Sequence, residues 1–522
     1  MRTKGVTLSD LIFFNANVIT MNPAFPHAQL VAIQSDKILA VSNNESIVDL
    51  KKRNTKMVDC KGRTILPGFI DAHFHLFAFA ESLVTLNLEP CRNVRSISDI
   101  QDKIRELSKE LPPGTWIRGR GYNEFYLAEK RHPTRWDLDL ATPAHPIRLT
   151  HRSGRAHVLN SLALKLVRIS KETADPKDGL IDRDIQTTEP TGLLYGVGDY
   201  LAQVIPPINT DQMEHGVRLA SEELCSLGIT SIQDASPRNN RDRWEIVQRW
   251  KENELLKSRV GMTLGMEGYE EYQRHPFTYR IDETQLNLRG VKIILHETTG
   301  QLSPSQEKLN EMVLDIHRFG LQVVLHAIEE KTIEAGCNAI EFALRKIPKP
   351  DHRHRIEHCS VCSSSLAKRI ASLGIMVVTQ PNFIYYNGDR YLKTVPKPNL
   401  DRLYPIATLI KNGVSVAGSS DCPIVPSNPI IGIYAAISRK TESGDSLLPE
   451  ERITPLEAIK IYTVHAAKAT FEEMIKGSIE PGKLADLVVL NGDPTRLPVD
   501  EVKDIEVEMT ILNGQVVWDK MG

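Results

Sequence analysis

In the stretch RTILPGFIDAHFHL, residues 63–76, an apolar run ends in His73 and His75, two positions apart and just behind Asp71. On a strand, residues i and i+2 share a face, so both imidazoles project together. A strand buried on both faces obliges such groups to find partners, because an uncompensated polar group in the interior costs free energy. Two hydrogen-bonded core histidines would meet that need, and for an isolated His-x-His this is the ordinary reading. Four other residues change it. His326 ends LQVVLHAI, His358 ends HRIEHC, Asp421 ends GVSVAGSSD, and Lys292 lies inside GVKIIL, where a surface lysine has no place. Four imidazoles, a carboxylate and a buried lysine describe a divalent metal site, suited to zinc, with manganese or iron as alternatives. A structural zinc site would favour closed thiolate ligation, so open positions for water are expected here. CSVC, 359–362, is a lone Cys-x-x-Cys without a second pair and reads as packing beside His358.

The spacing of these residues says what must position them. From Lys292 to His326 is 34 residues, from His326 to His358 is 32, and from His358 to Asp421 is 63. A βα unit needs ~30 residues or more, so the steps count one unit, one unit and two. The skipped strand, GIMVVTQP at 374–381, is where that count requires it. With GITSIQD (228–234) and RVGMTLG (259–265), the middle of the chain alternates short apolar strands with helical stretches, the mark of a parallel α/β fold. Polar residues recurring at the C-terminal ends of successive barrel strands open onto one mouth. SPSQEKLNEMVLDIHRFG predicts a helix capped by Ser303 and ended by Gly320.

The ends of the chain read differently. DLIFFNANVITM, QLVAIQSDKILAVS and KMVDCKGRTILPGFI are short strands with turns, and Asn-Gly pairs at 491–492 and 513–514 predict hairpins near the C-terminus. Strand-rich termini around a βα middle predict one small β domain from residues 1–62 and 475–522, with the barrel at 63–474. Residues about 80–225 are less regular and read as an insertion elaborating one face of the barrel. The net charge of −2 gives no electrostatic case for nucleic acid or an anionic membrane as partner. Seven scattered cysteines (60, 91, 225, 337, 359, 362, 422) do not form a secreted disulfide framework. The N-terminal segment has only short apolar runs, without a signal or membrane-span pattern, so a cytoplasmic protein is expected.

PGFIDAHFHL, the strand-borne Lys292, LHAI, RIEHC, GSSDCP and the tail GSIEPGKLADLVVLNGDP together resemble the amidohydrolase superfamily. WIRGRGYNE, HVLNSLAL, EPTGLL, QPNF and IKIYTVHAAKAT are similar to its YtcJ-like branch, which includes N-substituted formamide deformylase. The resemblance spans nearly the whole chain. It implies a (β/α)8 TIM barrel with a small β-sandwich built from both termini and an inserted region after strand 1. It also implies that His73 and His75 ligate one metal while His326 and His358 serve a second. Lys292 would carry a carbamate bridging the two, and Asp421 would ligate and shuttle protons. The implied activity is hydrolysis of a C–N amide-type bond in a small molecule by a metal-activated hydroxide. A homodimer is a further expectation from the family.

Three positions depart from that branch. His296 and Glu297 stand where it carries Asp-Gly after the strand lysine, Ser153-Gly154-Arg155 where it reads Asp-Gly-His, and Glu329-Glu330 where it has Gly-Asp. Arg155 can hold a substrate carboxylate by a bidentate pair, or form a surface salt bridge. His296 can contact substrate or metal, or bond a backbone carbonyl. Glu329 completes a His-x-x-Glu spacing that resembles mononuclear zinc deaminases of heterocycles, or simply favours a helix N-terminus. Tyr122, Gln380 and Asn382 fall where a pocket wall is expected, each with a structural alternative. A deaminase with one metal per chain is therefore the alternative activity, and a barrel that binds metal without catalysis the alternative of another class.

Overall fold

In the computed structural model, which describes residues 8–89, 93–176, 179–298 and 301–520, the βα middle of the chain builds an eight-stranded parallel sheet. Its strands are β1 (Phe69–Phe74), β2 (Ile229–Asp234), β3 (Arg259–Leu264), β4 (Leu286–Ile294), β5 (Gln322–Ala327), β6 (Arg355–His358), β7 (Met376–Thr379) and β8 (Val416–Gly418). Each pairs with the next in chain order, and a parallel bridge between Phe74 and Cys422 joins the last to the first. The result is a (β/α)8 barrel. β2, β3 and β7 are buried along their whole length, as parallel strands covered on both faces are. The short helix Val464–Lys468 packs Ala466 and Ala467 against Ile70, Met376 and Ala417 in one apolar cluster.

The helix before β5 spans Gln306–Phe319 and ends at Gly320 with φ 94°, as expected. Its cap is Ser305, not Ser303. Ser303 precedes a proline and pairs with His296 in a two-stranded ribbon, and a residue before proline is steered away from helical backbone. Asn513-Gly514 makes the expected tight hairpin, both residues at positive φ, between Val507–Leu512 and Gln515–Asp519. Asn491-Gly492 does not. It opens a longer connection, through the 3-10 turn Val499–Asp504, before the chain returns to pair.

Both termini meet in a β-sandwich. One sheet orders Lys37–Ser42, Leu30–Gln34, Leu11–Phe14 and Lys56–Asp59; the other runs from Gln515–Asp519 through Val507–Leu512, Leu487–Leu490, Thr64–Pro67 and Asn17–Ile19 to His27–Ala28. Phe13, Val31, Ile65, Leu487 and Ile511 fill the space between them. Residues 77–220 form a second compact unit. What looks irregular in sequence there is a six-stranded sheet, ordered Leu180–Arg183, Pro190–Tyr195, Ala156–Leu159, Ile147–His151, Ile117–Tyr122 and Leu86–Asn87, with Ile100, Ile104, Leu149 and Val158 in its core. The six described cysteines are buried free thiols, and Cys91 lies outside the described residues. Among the described residues no helix is long and apolar enough to cross a membrane.

Two buried polar devices brace the strands of the barrel. Arg259 of β3 grips Asp486 of the sandwich through both carboxylate oxygens, at 2.6 and 3.0 Å. Both side chains are buried, so removing one strands an uncompensated charge. Asp486→Ala should destabilise the protein by about 3–5 kcal/mol, read from urea unfolding.

The second is a histidine chain at the start of β5 and β6. His354 Nδ1 accepts the Val323 N–H (3.0 Å), so its Nε2–H donates to His317 Nδ1 (2.8 Å), whose Nε2–H donates to the Ile347 carbonyl (2.8 Å). Every ring nitrogen has a partner only while the rings are neutral. Burial, with His352 and His317 close by, holds His354 well below its ordinary 6.5. The unfolded chain therefore takes up the proton first, and the stability this chain contributes is complete above pH ~6.5 and falls below it. His354→Gln should flatten the decline of unfolding free energy between pH 6.5 and 5 by up to about 1.4 kcal/mol per pH unit.

Candidate active site

The polar ends of β1, β4, β5, β6 and β8 converge at the C-terminal mouth of the barrel. Strict alternation would not have brought all of them there. Between the pairs Ile232↔Asp71 and Asp234↔Phe74 two residues of β1 oppose one of β2, a bulge that re-aims His73. On β6, Glu357 already faces the barrel interior, and alternation would send His358 outward. Instead His358 adopts φ 72°, and its ring lies 4.9 Å from that of His73 and 4.4 Å from that of His326. Asp421 sits at φ 58° just past β8. Non-glycine residues in this left-handed region are strained, and such strain clusters at functional sites.

Asp71 holds the seam. Its carboxylate accepts the Ser420 N–H (3.1 and 3.2 Å), the Ser420 hydroxyl and the His73 N–H (3.2 Å), while Asp421 N–H donates to the His73 carbonyl at 3.0 Å. Burial pushes the Asp71 carboxyl up to about 7 against the pull of the bonds from Ser420.

The hydrogen bonds of the rings decide which nitrogen faces the mouth. The Ser236 hydroxyl donates to Asp234 (2.6 Å) and so accepts from His75 Nδ1 (3.0 Å). Ser419 donates to the Thr379 carbonyl and accepts the Gln380 amide N–H, which turns Gln380 Oε1 to His358 Nδ1 at 2.9 Å. His73 Nδ1 is bonded to the Glu357 carboxylate. All three protons sit on Nδ1, which leaves the Nε2 lone pairs outward. Two of these face one Asp421 oxygen, at 3.1 Å from His75 and 3.5 Å from His73. That buried oxygen has no hydrogen-bond partner among the described residues. Burial, with Lys292 and His358 nearby, keeps His73 well below its ordinary 6.5, so it is not an imidazolium that fills the gap. Donor atoms of His73, His75 and Asp421 lie within 4.8 Å of one another and could hold a metal ion.

Lys292 points from β4 into the same neighbourhood, 3% exposed, its Nζ without a hydrogen-bond partner among the described residues. Burial pushes its amine down to about 8, against the pull of Glu357 and Asp421.

The remaining expected residues divide between ring support, helix capping and the second unit. Gln380 is sealed from solvent and orients His358. Asn382 is equally buried, and its amide ties the Pro426 and Asn428 carbonyls to the Tyr462 hydroxyl. Glu329 is exposed at the N-cap of the helix Glu330–Lys346, its backbone N–H bonded to Thr332, which is the helix-start reading. His296 lies in the ribbon after β4, its Nδ1 buried without a partner among the described residues, while Glu297 pairs with Lys331. Within residues 77–220, Tyr122 is buried with its hydroxyl 2.9 Å from His132 Nδ1, and Arg155 is exposed with no carboxylate partner among the described residues. A pair the sequence did not announce stands beside Tyr122: Glu124 and His151 at 2.7 Å, a bond that holds Glu124 down to about 2. Glu357, Asp71, Ser236 and Ser420 were also missed. Only Arg355 and Glu357 gave a signal, being charged at i and i+2 in a buried strand.

Residues 56–518 match the amidohydrolase family. The chain belongs to that family. YtcJ of Bacillus subtilis (strain 168) is 29% identical over 505 residues, covering 89% of this chain and 91% of that protein. N-substituted formamide deformylase of Arthrobacter pascens is 26% identical over 551 residues, 99% of each. The crystal structure of an uncharacterized metal-dependent hydrolase from Pyrococcus horikoshii OT3 superposes with a TM-score of 0.75 at 22% identity, over 94% of this chain and 99% of that one. This amidohydrolase is a metal-dependent hydrolase acting on carbon–nitrogen bonds.

Asp71→Ala would leave the Ser420 N–H and hydroxyl without acceptors in a sealed seam. A loss of about 1–3 kcal/mol is expected in urea unfolding, with Asp71→Asn, which keeps one acceptor oxygen, losing less.

Proposed function

We propose that this amidohydrolase cleaves a C–N amide-type bond of a small molecule, using zinc or a similar divalent cation held by His73, His75, Lys292, His326, His358 and Asp421. The observation that carries the reading is the meeting of two Nε2 lone pairs and a buried carboxylate oxygen at 3.1 and 3.5 Å. Three acceptors facing one another repel unless a positive charge lies between them. Imidazole and carboxylate are zinc's usual nitrogen and oxygen donors, and no thiolate of the chain stands in this set. A cation held there supplies Lewis acidity, lowering the pKa of water and polarising a carbonyl.

Each residue then has a task of its own. Asp421, touching both ring nitrogens, takes the proton from the attacking water and returns it to the leaving nitrogen. Lys292, with its amine drawn down to about 8, has a neutral fraction near physiological pH that can add carbon dioxide, releasing one proton and leaving a carbamate with two further oxygen donors. Gln380 and Ser236 keep the rings turned. The deaminase alternative needs Glu329 at the reacting centre, and its exposed place at a helix cap counts against it. The departures at His296, Glu297 and Ser153–Arg155 argue that the substrate differs from the N-substituted formamides named for the Arthrobacter pascens relative. Unpaired thiols throughout the described chain favour a reducing compartment such as the cytoplasm.

Elemental analysis of protein purified without chelator should give about two metals per chain, falling in Lys292→Ala; one metal, unchanged by that substitution, would sink the two-metal assignment. Asp421→Asn should lower kcat on any amide or formamide substrate found by screening by about 10²–10⁴-fold.

A further inference from the structure

We propose that Glu357 is the positioning residue that makes His73 a ligand, and that two of the rings are unequally backed: His73 by a carboxylate and His358 by an amide. The inference rests on the metal reading of the site. Glu357 is wholly buried on β6 and divides its two oxygens. One lies 2.8 Å from Arg355 Nε and the other takes the Nδ1 proton of His73. Were Glu357 only the counter-ion of Arg355, the guanidinium fork would claim both oxygens side by side. Arg355, itself fully buried, is bonded in turn to Gln233, whose amide reaches the Ala466 carbonyl at 2.8 Å. The orientation of His73 is thus carried through three side chains, Glu357, Arg355 and Gln233, to the helix Val464–Lys468.

The backing differs from ring to ring in the charge it brings. A carboxylate on Nδ1–H draws the proton toward itself and leaves Nε2 a stronger donor. His75 receives this effect at one remove, since Ser236 stands between it and Asp234. Gln380 fixes the His358 ring as firmly but carries no charge. Outer partners of ligating histidines are worth about 10–100-fold in metal affinity. The cation held by His73, His75 and Asp421 should therefore owe about 10–100-fold of its affinity to Glu357.

The test is zinc titration of the metal-free, full-length protein against a competing fluorescent chelator. Wild type should take up about two zinc ions. Glu357→Gln should weaken one of the two sites by about 10–100-fold and leave the other nearly in place. Gln380→Glu, which puts a carboxylate behind His358, should strengthen the other site by about tenfold, a gain that a merely structural role would not produce. Equal weakening of both sites in Glu357→Gln, or no change, overturns the assignment. If that variant does not fold, Gln380→Glu decides, and two unmoved sites overturn it. A wild type that takes up no zinc would instead overturn the metal reading itself, and this inference with it.

Discussion

Two imidazole lone pairs and a carboxylate oxygen face one another at the mouth of this barrel, and much of the surrounding structure exists to keep them there. Left alone, such acceptors would turn away or take up protons. For the His73 ring neither is open. Each ring has its other nitrogen bonded to a fixed acceptor, and burial keeps His73 and His358 below their ordinary range. The cation proposed for this site would balance those facing acceptors.

Holding it has costs that appear elsewhere. His358 and Asp421 occupy left-handed backbone that ordinary residues avoid, and Lys292 keeps an amine in the interior with no hydrogen bond among the described residues. Regions of rigid packing absorb these costs. The Asp71 carboxylate locks the seam between β1 and β8 on which Asp421 depends, and the neutral histidine chain locks the origins of β5 and β6. The Arg259–Asp486 pair ties the opposite end of the barrel to the sandwich, so the strands have little freedom to relax the strained ends. Function at one rim is offset by buried polar order along the walls and at the base.

The features legible in the sequence were those with a period. Runs of β-branched residues at βα spacing located all seven strands sought between 228 and 421, and the left-handed Gly320 ended its helix as expected. Local signals whose outcome depends on neighbouring residues were less secure. Ser303 lost the helix cap to Ser305 because Pro304 stands between, and at Asn491-Gly492 neither residue takes the positive φ that a tight hairpin needs. Glu329 carried a spacing shared with deaminases, yet the start of a helix accounts for its place.

By itself the sequence said which residues could share a mouth: strand ends one or two βα units apart open on the same face of a parallel barrel, so spacing alone groups Lys292, His326, His358 and Asp421. Only the tertiary structure decided how they face. The bulge in β1, the reversed backbone at His358, and the partners Glu357, Ser236 and Gln380 come from strands separated by tens to hundreds of residues, and no local pattern records which acceptor will lie behind which ring. Proton placement on an imidazole is set by its neighbours in space, and those neighbours exist only once the barrel has closed.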